Sequence, residues 1–425
     1  MKKLLDKARA TARQLKDRGD IRKRLRGPAQ LTYAIADSIA MLSPEAWTQA
    51  AARSGFFMSR QYLLAMEKVL PANIAPRYAL IFDRRDGVNV PIAAMVMQLI
   101  DIQLAQARPL AAEAKSRKWL APLTEKIEAA SQRILACGNF LTFGQHGVAF
   151  AGDNAADEID AWHGVAEVLY RVRQSEKLAG KTHFVMIKDL HAPYTTKAKT
   201  LENLSYRYVE TEPDMLLTLD PAWKTYEDYL GGLASKYRSG IRNAVFKPIE
   251  EAGCVVEHLA DVASVQDEIH ALYRAVQANA NFRPYTLSPA YFAALKEAAG
   301  DRFRCSVIRK QDRLIGFLIS VADGDTAMAY HIGFDRTAAQ DLPVYLRLLH
   351  AGIADAIEMG CKRISFGRTA LEPKAALGAK PRAFGVLVRH RQPVLNKLIK
   401  HVLMGIEHDD APERNPFKKP VNSAG

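Results

Sequence analysis

Cysteine is scarce in this chain and never paired. The four thiols, Cys137, Cys254, Cys305 and Cys361, fall singly across 425 residues. That scatter offers neither a zinc spacing nor a two-thiol redox motif, so no metal site is expected and the thiols read as reduced core residues of a cytoplasmic protein. Long apolar runs are missing too. The longest, 91–100, stops at Asp101, well short of the roughly 20 residues that span a bilayer. A charged segment follows Met1, which argues against a secretory signal. What remains is an ordinary globular composition, 48% hydrophobic and 25% charged, at a length that suits two domains with a core each.

Positive charge is concentrated at one end. Residues 1–27 hold eleven Lys/Arg against three Asp, a net +8 out of +13 for the whole chain. Leu4, Leu5, Ala8, Ala12, Leu15 and Ile21 run through this stretch, so residues 1–48 are expected to be a basic, largely helical arm. Residues 1–26 suit an anionic membrane surface, with peripheral association at the inner face, and equally suit a solvated helix docked on the body. Nucleic acid is the less favoured partner.

The richest stretch is 302–380. Short alternating runs at 303–308, 314–321 and 328–334 are separated by Lys310-Gln311-Asp312-Arg313 and Ala322-Asp323-Gly324-Asp325. They predict three antiparallel strands. An apolar stripe of Leu346, Leu349, Ile353 and Ile357 follows, with Pro343 ahead of it and Gly360 behind, and predicts a helix. A strand at 361–366 then leads into a polar loop, Phe366-Gly367-Arg368-Thr369-Ala370-Leu371-Glu372-Pro373-Lys374.

A meander feeding a strand–helix–strand unit resembles the core of the GNAT acyltransferase superfamily. The flanking Tyr226-Glu227-Asp228-Tyr229-Leu230 and Lys236-Tyr237-Arg238-Ser239-Gly240-Ile241-Arg242-Asn243-Ala244 are similar to its Fem-like branch, over about 222–385. The resemblance implies an α/β (α+β) protein with two tandem GNAT-like units, each a mixed, mostly antiparallel sheet with flanking helices. A faint repeat agrees: Ser59-Arg60-Gln61-Tyr62 echoes Ser288-Pro289-Ala290-Tyr291, each followed by strand–turn–strand. The first unit is set at 49–220, with a helical stretch at 108–135 and strands near 140–143, 148–150, 184–189 and 215–219. Asp220-Pro221 marks the boundary. The second unit is set at 221–407, and 408–425 reads as a disordered tail.

The resemblance implies attack of an amine on a thioester, with the oxyanion meeting a backbone N–H on the strand at 328–334. On the Ala329/His331/Gly333 face, only His331 titrates near neutrality, which makes it the candidate base. A histidine hydrogen-bonded inside the sheet is the alternative. Gly333 beside it would let a thioester approach, or ease a twist. Arg368 and Lys374, just past a strand end, suit a phosphate or carboxylate. Glu372 is a second catalytic candidate, to bind or deprotonate the amine. Tyr237, Arg238, Arg242 and Tyr345 join the donor- or acceptor-binding set, and so does Tyr285 in Asn281-Phe282-Arg283-Pro284-Tyr285. Gln145-His146-Gly147 is polar between strands and placed to line a cleft between units.

The superfamily's Gly-rich phosphate loop is replaced by Thr337-Ala338-Ala339-Gln340-Asp341-Leu342-Pro343, which leaves the donor open. The expected function is N-acyl transfer from acyl-CoA or acyl carrier protein, with no permanently bound cofactor, to an amine, including a long-chain or lipid amine of ceramide or aminolipid type. The rivals are Fem-type transfer from aminoacyl-tRNA, disfavoured by the lack of room for a helical hairpin in 245–302, and a non-catalytic protein binding membranes or polysaccharide.

Overall fold

The computed structural model describes residues 16, 19–103, 131–152, 159–280, 283–403, 412 and 414–418. Its strands are β1 (Thr32–Ala36), β2 (Ile74–Arg85), β3 (Val88–Gln103), β4 (Ser131–Cys137), β5 (Val148–Phe150), β6 (Thr182–Leu190), β7 (Arg207–Thr218), β8 (Cys254–His258), β9 (Phe303–Lys310), β10 (Arg313–Asp323), β11 (Thr326–Phe334), β12 (Arg363–Ser365) and β13 (Lys380–His390). They form a continuous mixed sheet in the order β1-β2-β3-β4-β6-β13-β7-β12-β11-β10-β9-β8, with β5 on β3. The helices used below are α1 (Pro44–Ala50), α2 (Arg60–Glu67), α3 (Ile159–Ser175), α4 (Tyr226–Gly232), α5 (Ser235–Ile241), α6 (Gln266–Gln277), α7 (Ala290–Ala299), α8 (Val344–Glu358), α9 (Leu371–Ala376) and α10 (Pro393–Leu403).

Two strand–helix–strand modules repeat along the sheet. In the first half the antiparallel hairpin β2–β3 leads to β4, α3 and β6, with β6 parallel to β4. In the second the meander β9–β10–β11 leads to α8 and β12, with β12 parallel to β11. The meander and α8 lie where alternation and the apolar stripe predict them. Gly360, at φ +68°, takes the left-handed position that stops α8.

Several boundaries differ from the sequence reading. β1, expected within a helical arm, pairs with β2 over its whole length. Residues 131–135, read as helix, begin β4, while 108–130 lie outside the described residues. Residues 140–143 form an irregular loop rather than a strand. The sheet is not interrupted at Asp220-Pro221: β7 pairs with β12 and β13, and β13 also pairs with β6. The end of the second half is thereby sewn into the first. Residues 414–418, placed by composition in a disordered tail, dock on the body through a Leu233–Phe417 bridge, where Phe417 packs near Trp223 and Tyr229.

One face of the sheet carries a core shared by both halves, in which Tyr62, Leu63 and Met66 of α2 meet Tyr291, Phe292 and Leu295 of α7. Tyr330 of β11 ties it together. Its hydroxyl donates to the Leu141 carbonyl at 2.6 Å and lies 2.8 Å from the Tyr291 hydroxyl and 3.4 Å from that of Tyr62. The repeated Ser-x-x-Tyr therefore delivers one tyrosine from each half to a common point. The opposite face holds α3 over β2–β6 and α8 over β9–β12.

A buried carboxylate fixes α8 to the meander. Asp355, fully buried, accepts from Ser306 Oγ at 2.8 Å, Ser320 Oγ at 2.7 Å and His258 Nε2 at 2.9 Å. The hydrogen bond to Asp355 raises the pKa of half-exposed His258. A raised histidine contributes stability that is full below its unfolded value, about 6.5, and is lost as pH rises through the folded value. His258→Gln should therefore lower the Tm more at pH 5.5 than at pH 8.5. An equal loss at both would contradict this role.

Candidate functional site

The site starts from a defect in the sheet. β12 pairs with β11 only through 326–328 against 363–365, whereas β11 runs on to Phe334 with β10 on one side alone. In the first half the parallel pair stays closed, because β4 pairs with β6 to its last residue, Cys137. Tyr330 has no opposite number on β10: Ile319 faces His331 and Ser320 faces Ala329. Such a bulge bends and twists the strand that carries it. The outer backbone groups of 329–334 are thus left without a partner strand among the described residues. Ala329, Tyr237 and Ile241 of α5, and Tyr345 of α8 all pack, half-buried, on the same hydrophobic cluster beside this gap. α5 passes directly into a widened helical turn, Arg242–Phe246, a feature that recurs at functional sites. Arg347 of α8 lies over the Phe246 ring at 4.4 Å.

A cleft of about 210 Å³ adjoins the point where the pairing stops. Thr326 and Met328 of β11 line it, with Arg53, His146, His191, Asp323 and Arg382. His146 has both nitrogens engaged, Nδ1 with Thr142 Oγ1 at 2.9 Å and Nε2 with Asp323 Oδ2 at 3.1 Å. Burial pushes the Asp323 carboxyl up, but the hydrogen bond from His146 and the backbone donors of Phe57 and Phe56 outweigh it, leaving Asp323 below the usual carboxylate range.

His191 presents an accessible imidazole to the cleft. Its Nδ1 lies 2.8 Å from the Ala192 carbonyl. A carbonyl only accepts, so Nδ1 carries the proton and Nε2 presents a lone pair. The ring stacks on Phe384 at 5.7 Å and 20°. Burial, reinforced by Arg382, lowers its pKa, which keeps the imidazole neutral at pH 7. No sequence motif marks His191. Its only signal is a histidine just past the end of β6.

The structure separates the residues singled out from sequence. Tyr237 and Tyr345 pack, half-buried, on the cluster that Ala329 of β11 also joins. Arg238 is half-buried on α5, while Arg242 is exposed and sits 3.4 Å from Glu227. Arg368 lies behind the cleft, paired with the buried Asp189, which also holds Lys188 at 2.5 Å and the Gly144 N–H at 3.1 Å. Burial lowers the Arg368 pKa to about 10. Its charge is answered by Asp189 rather than reserved for a ligand.

Five assignments are corrected. His331 is not a base: burial lowers its pKa to about 3, and its unpartnered Nε2 is sealed among Tyr273, Tyr291, Phe292 and Tyr330. Lys374, 3% exposed, spends its donors on the carbonyls of Gly367 at 3.2 Å, Thr369 at 2.7 Å and Arg368, so it holds the loop and meets no anion. Glu372 is exposed and pairs with Arg414 Nε at 3.0 Å, away from the cleft. Gly333 serves packing, since a Cβ there would come within 2.7 Å of the backbone of Leu272 and Tyr273 on α6. Tyr285, meant for the acceptor side, braces the 139–146 loop through a 2.6 Å bond to the Phe140 carbonyl.

Lys374→Met would leave three inward carbonyls without a donor. It should lower unfolding stability by about 2 kcal/mol or more in a denaturant titration. Full stability with lost turnover would return Lys374 to the binding site.

Residues 235–375 match the family model described as an acetyltransferase (GNAT) domain. No curated relative matches the chain. Among solved structures, FemX aligns at 12% identity and a TM-score of 0.48, covering 80% of this chain and 94% of its own. A tandem GNAT protein from the clavulanic acid biosynthesis pathway aligns at 12% and 0.47, covering 85% and 99%. The C-terminal domain of a putative lysylphosphatidylglycerol synthetase from Agrobacterium fabrum aligns at 11% and 0.45, covering 84% and 94%. The parallel pair that parts beyond Met328 lies inside the segment that matches the acetyltransferase (GNAT) domain model.

Proposed function

We propose that the protein transfers an acyl group from a coenzyme A thioester to the amine of a small acceptor that carries an anionic group. The observation behind this reading is the half-paired strand β11, whose outer N–H groups have no partner strand among the described residues and are placed to receive an oxyanion. The acceptor nitrogen attacks the thioester carbonyl, and the tetrahedral oxyanion is held by a β11 N–H. His191 Nε2 takes the ammonium proton. The C–S bond then breaks, and the departing thiolate is reprotonated from the imidazolium or solvent.

The polar walls of the cleft favour this acceptor over a long-chain amine. Arg53 and Arg382 line the cleft with His191, and Arg382, already paired with the buried Asp214 at 2.8 Å, would share its charge with a carboxylate or phosphate on the acceptor. The same polar groups next to Met328 weigh against a non-catalytic binding role. Nothing at the site favours aminoacyl-tRNA as donor.

The test is thiol release from acetyl-CoA with matched amines, with and without a carboxylate or phosphate. Anionic amines should show the higher kcat/KM. His191→Gln should lose about 100-fold or more at pH 7, narrowing towards pH 10 as the amine deprotonates by itself. A parallel deficit at every pH would contradict the assignment of His191 as the base.

A further inference from the structure

A second cavity, of about 400 Å³, lies in the first half of the molecule, away from the β11 gap. Its volume falls within the range of small-ligand sites, about 300–1,000 Å³. Leu25, Leu169, Val185, Leu204 and the ring of Tyr206 give it an apolar lining. Leu25 is 3% exposed although its neighbours Arg24 and Arg26 are exposed, so one leucine of the basic segment closes a wall.

Three arginines from separate parts of the chain meet at this cavity: Arg26 before β1, Arg173 on α3 and Arg389 on β13. None of them makes an ion pair among the described residues. Arg173 and Arg389 are half-buried, and the charge of both falls on the Tyr206 hydroxyl. The carboxylate nearest to hand is already used, because Glu167 accepts from Arg171 at 2.6 Å, the Ala29 N–H at 2.7 Å and the Tyr33 hydroxyl at 3.2 Å. Like charges drawn together on a partly desolvated surface are unfavourable unless an anion joins them, and guanidinium is the side chain best matched to a carboxylate.

We infer that this cavity binds a single-chain aliphatic carboxylate, its chain against Leu25, Leu169 and Leu204 and its head between Arg173 and Arg389. The site is independent of the acyl-transfer reading, since it shares no lining residue with the cleft at His191.

The test is a calorimetric titration of the full chain with dodecanoate below its micelle concentration. Acetate serves as charge without chain, dodecyl maltoside as chain without charge, and phosphatidylglycerol vesicles as an anionic lipid surface. Dodecanoate should saturate at one per chain, and acetate and the maltoside should give no saturable heat. Arg173→Gln and Arg389→Gln, both half-buried at the surface, should each weaken dodecanoate at least 10-fold with Tm unchanged. Absence of dodecanoate binding, equal binding of the maltoside, binding to vesicles alone, or full affinity in both variants would each overturn the inference.

Discussion

The bulge at Tyr330 is the constraint on which the rest of the molecule depends. One extra residue in β11 turns both Tyr330 and His331 to the face shared by the two halves, and the strand parts from β12 just before it. The Tyr330 hydroxyl anchors the bulge through the Leu141 carbonyl and the hydroxyls of Tyr62 and Tyr291. The group is fully enclosed, so its bonds are expensive to lose, about 1–3 kcal/mol for each buried partner left unsatisfied. The same residue thus joins the halves, opens the slot beside β12 and holds the 139–146 loop that walls the cleft.

That loop is gripped from several sides. Lys188 Nζ donates to the carbonyls of Asn139 at 3.0 Å and Thr142 at 2.9 Å, Gln98 accepts from the Phe140 N–H at 2.7 Å, and His146 reaches Asp323 on β10. β13 adds a second seam, threading between β6 and β7 and bringing Phe384 and Arg382 to His191. A site assembled from both halves of a continuous sheet is preorganised, which is the property that electrostatic catalysis by backbone donors requires.

Much of this architecture was legible in the sequence, because alternation and capping act locally. The meander, α8 with its Gly360 stop, and the Ser-x-x-Tyr repeat all read correctly, and the repeat proved to mark the tyrosines that meet at Tyr330. His331 was misread because period-two alternation fails at a bulge. Counting by twos puts His331 with Ala329, whereas the extra residue moves it, together with Gly333, to the side of Tyr273 and Phe292. Lys374 misled for another reason: a polar loop after a strand suggests a ligand site, but its own carbonyls took the ammonium. No local pattern marks His191, because what shapes its surroundings lies far along the chain, in the Phe384 ring and Arg382 beside it.

The central claim is that the open edge of β11 receives the acyl donor. The direct measurement is a crystal structure with a non-hydrolysable thioether analogue of acetyl-CoA. The account predicts the analogue between β11 and β12, its carbonyl oxygen within hydrogen-bond reach of a backbone N–H in 329–334. Binding between β4 and β6 of the first half, or a carbonyl that meets no β11 donor, would contradict it.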